Sequence, residues 1–295
     1  MIAHAARDLV ARLHDDGPPL ICGIVNVTPD SFFDGGRFHA PGAAVDQALR
    51  LVQEGADMID VGGESTRPGS RRPSEAEEID RVAPVVTELV ARTGCPVSVD
   101  TSRPGVMLAA AEAGAAMIND VRGLRAPGGV AAVFASGMAV CVAHMQGEPD
   151  TMQDAPTYDD VVTDVSVYLR ERAAACERAG VPRAAIVLDP GFGFGKTLEH
   201  NLELLAGLGH LAAPDYAVMA GVSRKSMLGA ITRRPVDQRL PSSLAGALLA
   251  VQGGARIVRV HDVAPTRDVL AVWLAARVAG AAASCRRGTV TSGRR

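Results

Sequence analysis

The chain has 295 residues, of which 47% are hydrophobic, 21% charged and 3% aromatic, with a formal net charge of -3. That length and apolar content suit one large domain, or two smaller ones, with a well-buried core. The slightly acidic balance offers no basic field for nucleic acid or anionic lipid, although local arginines can still hold a small anion.

The chain reads in order as a repeated strand, turn and helix. Residues 1–18 contain Asp8, Arg12, Asp15 and Asp16 and no apolar h-region, so they read as an N-terminal extension and not as a signal peptide. Apolar runs at 20–27, 57–61, 96–99, 116–118, 139–143, 185–188, 216–220 and 256–260 predict eight strands. Helical periods fall between them at 43–54, 74–92, 104–113, 130–136, 158–179, 198–208 and 242–252, and a last helix runs from 264 to about 279. Gly55 and Gly180 stand where helix stops are expected, Ser74 with Glu77 forms a capping box, and Pro104 suits a first turn. Eight such units over about 250 residues predict an α/β fold of the (β/α)₈ TIM-barrel type in one domain, residues 19–279. A doubly wound open sheet fits less well, because no GxGxxG turn follows the first strand. The small, polar stretch 280–295 is expected to be a disordered tail.

Five scattered cysteines, Cys22, Cys95, Cys141, Cys176 and Cys285, form no CxxC pair and fit neither a zinc site nor a disulfide framework. Cys22, Cys95 and Cys141 lie in or beside apolar runs and read as small buried thiols in a reducing compartment. With no apolar run long enough to span a bilayer, a soluble cytoplasmic protein is expected.

The chemistry lies at the strand ends. Polar groups follow the strands in phase: Asn26 to Asp30, Gly62 to Gly69, Asp100, Asn119-Asp120, His144-Met145, Asp189, Gly221 with Ser223 to Ser226, and Arg259 with His261-Asp262. In a closed barrel these ends meet at one mouth. The run from Ile186 to Lys196 is the most distinctive, a buried strand ending in Asp189 and then a glycine loop carrying Phe192 and Phe194. A carboxylate beside two phenylalanines suggests a flat ring that both hydrogen-bonds and stacks. Asp100, Asn119, Asp189 and Lys225 suit a heterocycle with several donors and acceptors. Asn26, Arg67, Arg259 and His261 are donor-rich and suit a phosphate or diphosphate, with Asn26 a hard oxygen ligand for Mg²⁺.

Plainer roles stand beside these. Asp100, Asn119 and Asp189 can cap the following helices, and Lys225 and Arg224 can be solvated charge. His144 reads as a satisfied barrel histidine, Asp60 as buried or paired, Asp30 and Asp34 as turn formers, and Arg72 as rim charge.

Six segments together resemble dihydropteroate synthase: Asn26 to Phe32, Gly62 to Gly69, Ile118 to Val121, Asp189 to Lys196, Ser223 to Ser226, and Arg259 to His261. The likeness covers residues 19–277, and the motifs stand in the family's order. It implies a transferase of folate biosynthesis that joins 4-aminobenzoate to (7,8-dihydropterin-6-yl)methyl diphosphate with Mg²⁺ assisting, and a homodimer with small molecules as its other partners. Carried over, Asp100, Asn119, Asp189 and Lys225 match the pterin pocket, with Gly221 and Met145 as walls. Asn26 matches the metal ligand, Arg259 and His261 the diphosphate site, and Thr66 and Arg67 the second loop. Phe32, Pro68, Phe194 and Ser226 match the aminobenzoate pocket. The catalytic set implied is Asp100, Lys225, Arg259 and His261. One departure is Phe33 ahead of Asp34-Gly35-Gly36, where the family often has Ser; it bears on aminobenzoate or sulfonamide fit. Two alternatives share the pocket: a barrel that passes a methyl group from methyltetrahydrofolate to a corrinoid, and a paralogue that binds pterin without catalysis.

Overall fold

The structure is a computed structural model that describes residues 3–27, 41–64, 72–148, 151–212 and 216–290. Eight parallel strands close into a barrel in sequence order. They are β1 Leu20–Asn26, β2 Met58–Gly62, β3 Val97–Asp100, β4 Met117–Asp120, β5 Ala139–Ala143, β6 Ile186–Asp189, β7 Ala217–Ala220 and β8 Ile257–Val260. Their near-continuous apolar sequences are what a sheet covered on both faces requires, and β2, β4, β5, β6 and β7 are buried along their whole length.

Among the described residues the helices are α1 His4–His14, α2 Pro41–Gln53, α3 Glu75–Thr93, α4 Pro104–Glu112, α5 Gly129–Ser136, α6 Val161–Arg178, α7 Leu198–Ala206, α8 Leu208–Leu211, α9 Ser226–Thr232, α10 Leu240–Gln252 and α11 Val263–Val290. The capping box on α3 is present, with Ser74 accepting from the Glu77 N–H and Glu77 reaching back to the Ser74 N–H. The single helix expected over 198–208 is divided at Gly207, where a Cβ would stand 2.8 Å from Val162 Cγ2 of α6.

Two departures from the sequence reading concern the ends. The N-terminal extension holds α1, whose Leu9 and Leu13 enter the core. It lies across the amino ends of the strands: Ala3 N–H donates to Gly137 O at 2.8 Å ahead of β5, and Arg12 pairs with Asp57 at 2.5 Å ahead of β2. Arg256, just before β8, binds Arg12 O and Gly17 O. At the other end, α11 continues to Val290, so the boundary at 279 falls inside a helix and not at the start of a disordered tail. No helix among the described residues is long and apolar enough to cross a membrane.

Candidate active site

The ladder aligns Asn26 with Gly62, Gly62 with Asp100, and Asp100 with Asn119, across β1 to β4 at their carboxyl ends. Asp189 ends β6 opposite Ala143 of β5. Contacts between strands that are not neighbours show these side chains pointing into the barrel. Arg259 of β8 donates through Nε to Asp60 Oδ2 of β2 at 2.6 Å and through Nη2 to Asp100 Oδ2 of β3 at 3.1 Å. Asn119 Nδ2 of β4 donates to the same Asp60 oxygen at 3.0 Å.

The sequence reading set a heterocycle group beside an anion group, and the structure shows a contact between the two. Arg259 stands between two carboxylates and joins the groups. A guanidinium presents donors in a rigid fork, so one side chain serves both acids. Asp60 is buried and paired, as expected for a carboxylate inside a strand, and it orients both Arg259 and Asn119. This leaves Asp60 Oδ1 and Asn119 Oδ1 as buried acceptors without a hydrogen-bond partner, the kind of polar atom that a native site satisfies with ligand or water.

The capping role weighed for Asp100 is not taken: the N-cap of α4 is Arg103, with no side-chain cap. Burial pushes the Asp100 carboxyl up to about 7, against the pull of Arg259 and with Asp60 adding to the rise. Asp189 is pushed up by burial as well, opposed by Lys225. It also accepts the Gly191 N–H at 2.7 Å, so one oxygen shapes the loop while the carboxyl faces Lys225.

Lys225 is not solvated charge. Its ammonium donates to Phe192 O and lies 4.4 Å from the centroid of the Phe194 ring. Burial lowers its pKa to about 8, although Asp189 favours the charged form. The turn that aims it inward is pinned on three sides. Arg224 has φ +57 in the left-handed region, which costs a non-glycine residue strain that its neighbours must offset. Its guanidinium pairs with both oxygens of Asp262, its N–H donates to Ser243 Oγ at 2.9 Å, and its carbonyl accepts from Arg239 at 3.0 Å. Thus Arg224 also fails to be free surface charge.

His261 lies exposed at the rim, with Nδ1 3.0 Å from Ser223 Oγ. Met145 is 3% exposed beside His144, and Gly221 is buried below Arg259, whose Cβ would be 3.8 Å from an added Cβ. Ser226 is exposed at the first residue of α9. Phe192 corrects the expectation of two stacking phenylalanines: it is fully buried core, and only Phe194 is partly exposed. Arg72, expected as rim charge, pairs with Glu64 at 3.9 Å and Glu148 at 3.8 Å. Phe32, Phe33, Thr66, Arg67 and Pro68 lie outside the described residues, as do Asp30 and Asp34 with their glycines.

The barrel mouth therefore presents carboxylates, an amide, an ammonium and a guanidinium around one opening, which suits a flat ring carrying amino and carbonyl groups. Comparison with known proteins decides the family. A family model described as "Pterin binding enzyme" matches residues 22–261. The chain is 49% identical over 257 residues to the dihydropteroate synthase of Haemophilus influenzae, covering 87% of this chain and 94% of that one. The chain belongs to the dihydropteroate synthase family. Solved structures agree. The Xanthomonas albilineans dihydropteroate synthase with 4-aminobenzoic acid superposes with TM-score 0.84 at 50% identity, covering 88% of this chain and 93% of that one. The same bacterium's synthase in complex with 7,8-dihydropteroate gives TM-score 0.81 at 48% identity, covering 88% and 94%.

Sequence reasoning named most of the family-like mouth but missed what lies behind it. Lys196 closed the glycine motif and was given no role. It is 3% exposed, with Nζ 2.8 Å from His144 Nδ1 and donating to Gly191 O and Phe194 O, each at 3.0 Å. His144 is thereby the satisfied histidine expected, packed edge-on to Tyr168 at 4.9 Å. A lysine next to glycines that bring backbone close was a readable signal; its partners, distant in sequence, were not.

Proposed function

We propose that the chain joins 4-aminobenzoate to (7,8-dihydropterin-6-yl)methyl diphosphate, giving 7,8-dihydropteroate and diphosphate. One observation carries this: Asp100, Asn119, Asp189 and Lys225, from four different strands or strand ends, meet at one mouth with Arg259 at its base. The product bound in the Xanthomonas albilineans structure supports the same reading.

An arylamine is neutral at pH 7, so no strong base is needed to activate it. The costly event is loss of diphosphate, and we propose that it proceeds with SN1-like character. The methylene cation is delocalised into the dihydropterin, and ionised Asp100 stabilises it at close range in a site of low dielectric. Arg259 holds Asp100 in place and, with His261 at the rim, faces the departing anion. Asn119 and Asp189 orient the ring edge, and Lys225 donates to its carbonyl. Ser226, at the start of α9, suits the aminobenzoate carboxylate. The alternative that carries methyl groups to a corrinoid shares the acidic pocket, and the sequence stretches Ser65 to Gly69 and Ser223 to Ser226 favour the synthase over it.

Magnesium fits the residues present. The Asn26 amide oxygen stands across Gly62 from Asp100, and a Cβ at Gly62 would come 3.6 Å from each, so the glycine keeps that cradle open. With Asn26 as its one protein ligand, the ion would complete its coordination with substrate oxygens and waters. Such an ion would neutralise charge on the diphosphate. The proposal extends to a cytoplasmic homodimer, whose assembly light scattering of the purified chain checks.

The direct test is diphosphate release with both substrates and Mg²⁺. Release that depends on added 4-aminobenzoate is expected; pterin binding without release supports the non-catalytic paralogue instead.

A further inference from the structure

All five carbonyls of the loop Gly191 to Gly195 are taken by side chains. Lys196 holds those of Gly191 and Phe194, Lys225 that of Phe192, Gln153 that of Gly193 at 2.6 Å, and Tyr158 that of Gly195 at 2.6 Å. Lys196 alone binds two of them. It also reaches both His144 Nδ1 at 2.8 Å and His144 O at 3.4 Å, and the His144 N–H donates to Asp189 O at 3.0 Å. Its ammonium therefore sits where the ends of β5 and β6 meet, and no carboxylate among the described residues is within ion-pair distance of it.

That arrangement is expensive for stability alone. A buried cation without a paired anion costs free energy that carbonyl dipoles only partly return. Burial lowers the Lys196 pKa to about 7, with nearby Lys225 adding to the fall and Asp189 opposing it. The groups it fixes are those the site uses: the loop backbone next to Asp189, and the Phe192 carbonyl and Phe194 ring against which Lys225 rests.

We propose that Lys196 is a positioning residue for the transfer reaction, holding the glycine loop so that Asp189 and Lys225 meet the pterin ring in register. It touches no substrate and acts through two backbone carbonyls and the loop between them. The inference rests on the proposed pterin substrate.

Lys196→Met tests it, since methionine keeps the length and removes every donor. The wild-type enzyme is assayed alongside: if it shows no turnover, the functional reading fails, and the Lys196 comparison is made on pterin binding by calorimetry. With turnover present, Lys196→Met is expected to raise KM for the pterin diphosphate about tenfold and lower kcat, with KM for aminobenzoate changed less than about twofold. Lys196→Gln keeps two N–H donors and is expected to recover part of the loss; it carries the test if the methionine variant does not fold. In ¹⁵N NMR, His144 of the wild type is expected to stay neutral with Nδ1 as acceptor, and to titrate nearer the ordinary histidine range in Lys196→Met. A variant with a lowered melting temperature but pterin constants within about twofold of wild type overturns the proposal, because a merely structural lysine would behave so.

Discussion

Arg259 answers two carboxylates with one guanidinium, and this sets how the mouth titrates. Asp100 ionises at about 7 and Lys225 loses its proton at about 8. Below about 7 Asp100 is protonated and cannot stabilise a cation; above about 8 Lys225 is neutral and a weaker donor. The profile of kcat/KM for the pterin substrate is therefore expected to be a narrow bell, falling on the acid side through Asp100 and on the alkaline side as first Lys196, at about 7, and then Lys225 lose their protons. Asp100→Asn removes the acid limb and lowers turnover about 100-fold or more; a variant that keeps the limb reassigns it to another group. The positions of Asp100, Asn119 and Lys225 were legible because polar residues after apolar strands recur in phase. Their partners were not, since the Arg259–Asp60–Asn119 contacts join residues up to 199 apart, and nothing local encodes which carboxylate a long cation will choose.

Among the elements, the connection after β6 is the most constrained. Gly191 has φ +68, and an added Cβ would lie 1.9 Å from His144 O, a backbone atom that cannot step aside. Gly94, after α3, has φ +63 with nothing within 4 Å of such a Cβ. Gly94→Ala is expected to cost about 1 kcal/mol, the left-handed penalty alone. Gly191→Ala adds a collision and is expected to cost on the order of 3 kcal/mol or more, or to prevent folding. Denaturant midpoints compare the two, and equal losses would mean that the loop moves freely. The α3 cap was readable because Ser74 and Glu77 make their bonds within one turn. Helix α1 went unread although Ala6, Leu9, Val10 and Leu13 have helical spacing: Ala3 provides no side-chain cap, and polar neighbours hid its start. The far end of α11 was missed for the opposite reason. Its residues beyond 279 are small and polar, a composition that suits both a helix and a tail.

For the whole molecule, the two ends of the barrel divide the work. The groups proposed for catalysis gather at the carboxyl ends of the strands, and α1 covers the amino ends, tied by Arg12, Arg256 and Asp57. Leu9 is fully buried there. Leu9→Ala is expected to lower stability by about 2–5 kcal/mol while leaving KM for both substrates unchanged in the folded enzyme, a separation that unfolding curves and initial rates read independently. A shift in either KM would show that the two ends are coupled. The closed barrel itself was legible from eight alternating runs, because sheet closure leaves strand count and order in the sequence.

A wall made from backbone whose every acceptor is already engaged has one more effect, felt by inhibitors. A compound filling the ring pocket meets a surface shaped in advance, so little of its affinity is spent on ordering the protein. The chain, for its part, has few single substitutions with which to remould this part of the surface, since the loop is held at once by Lys196, Lys225, Gln153 and Tyr158.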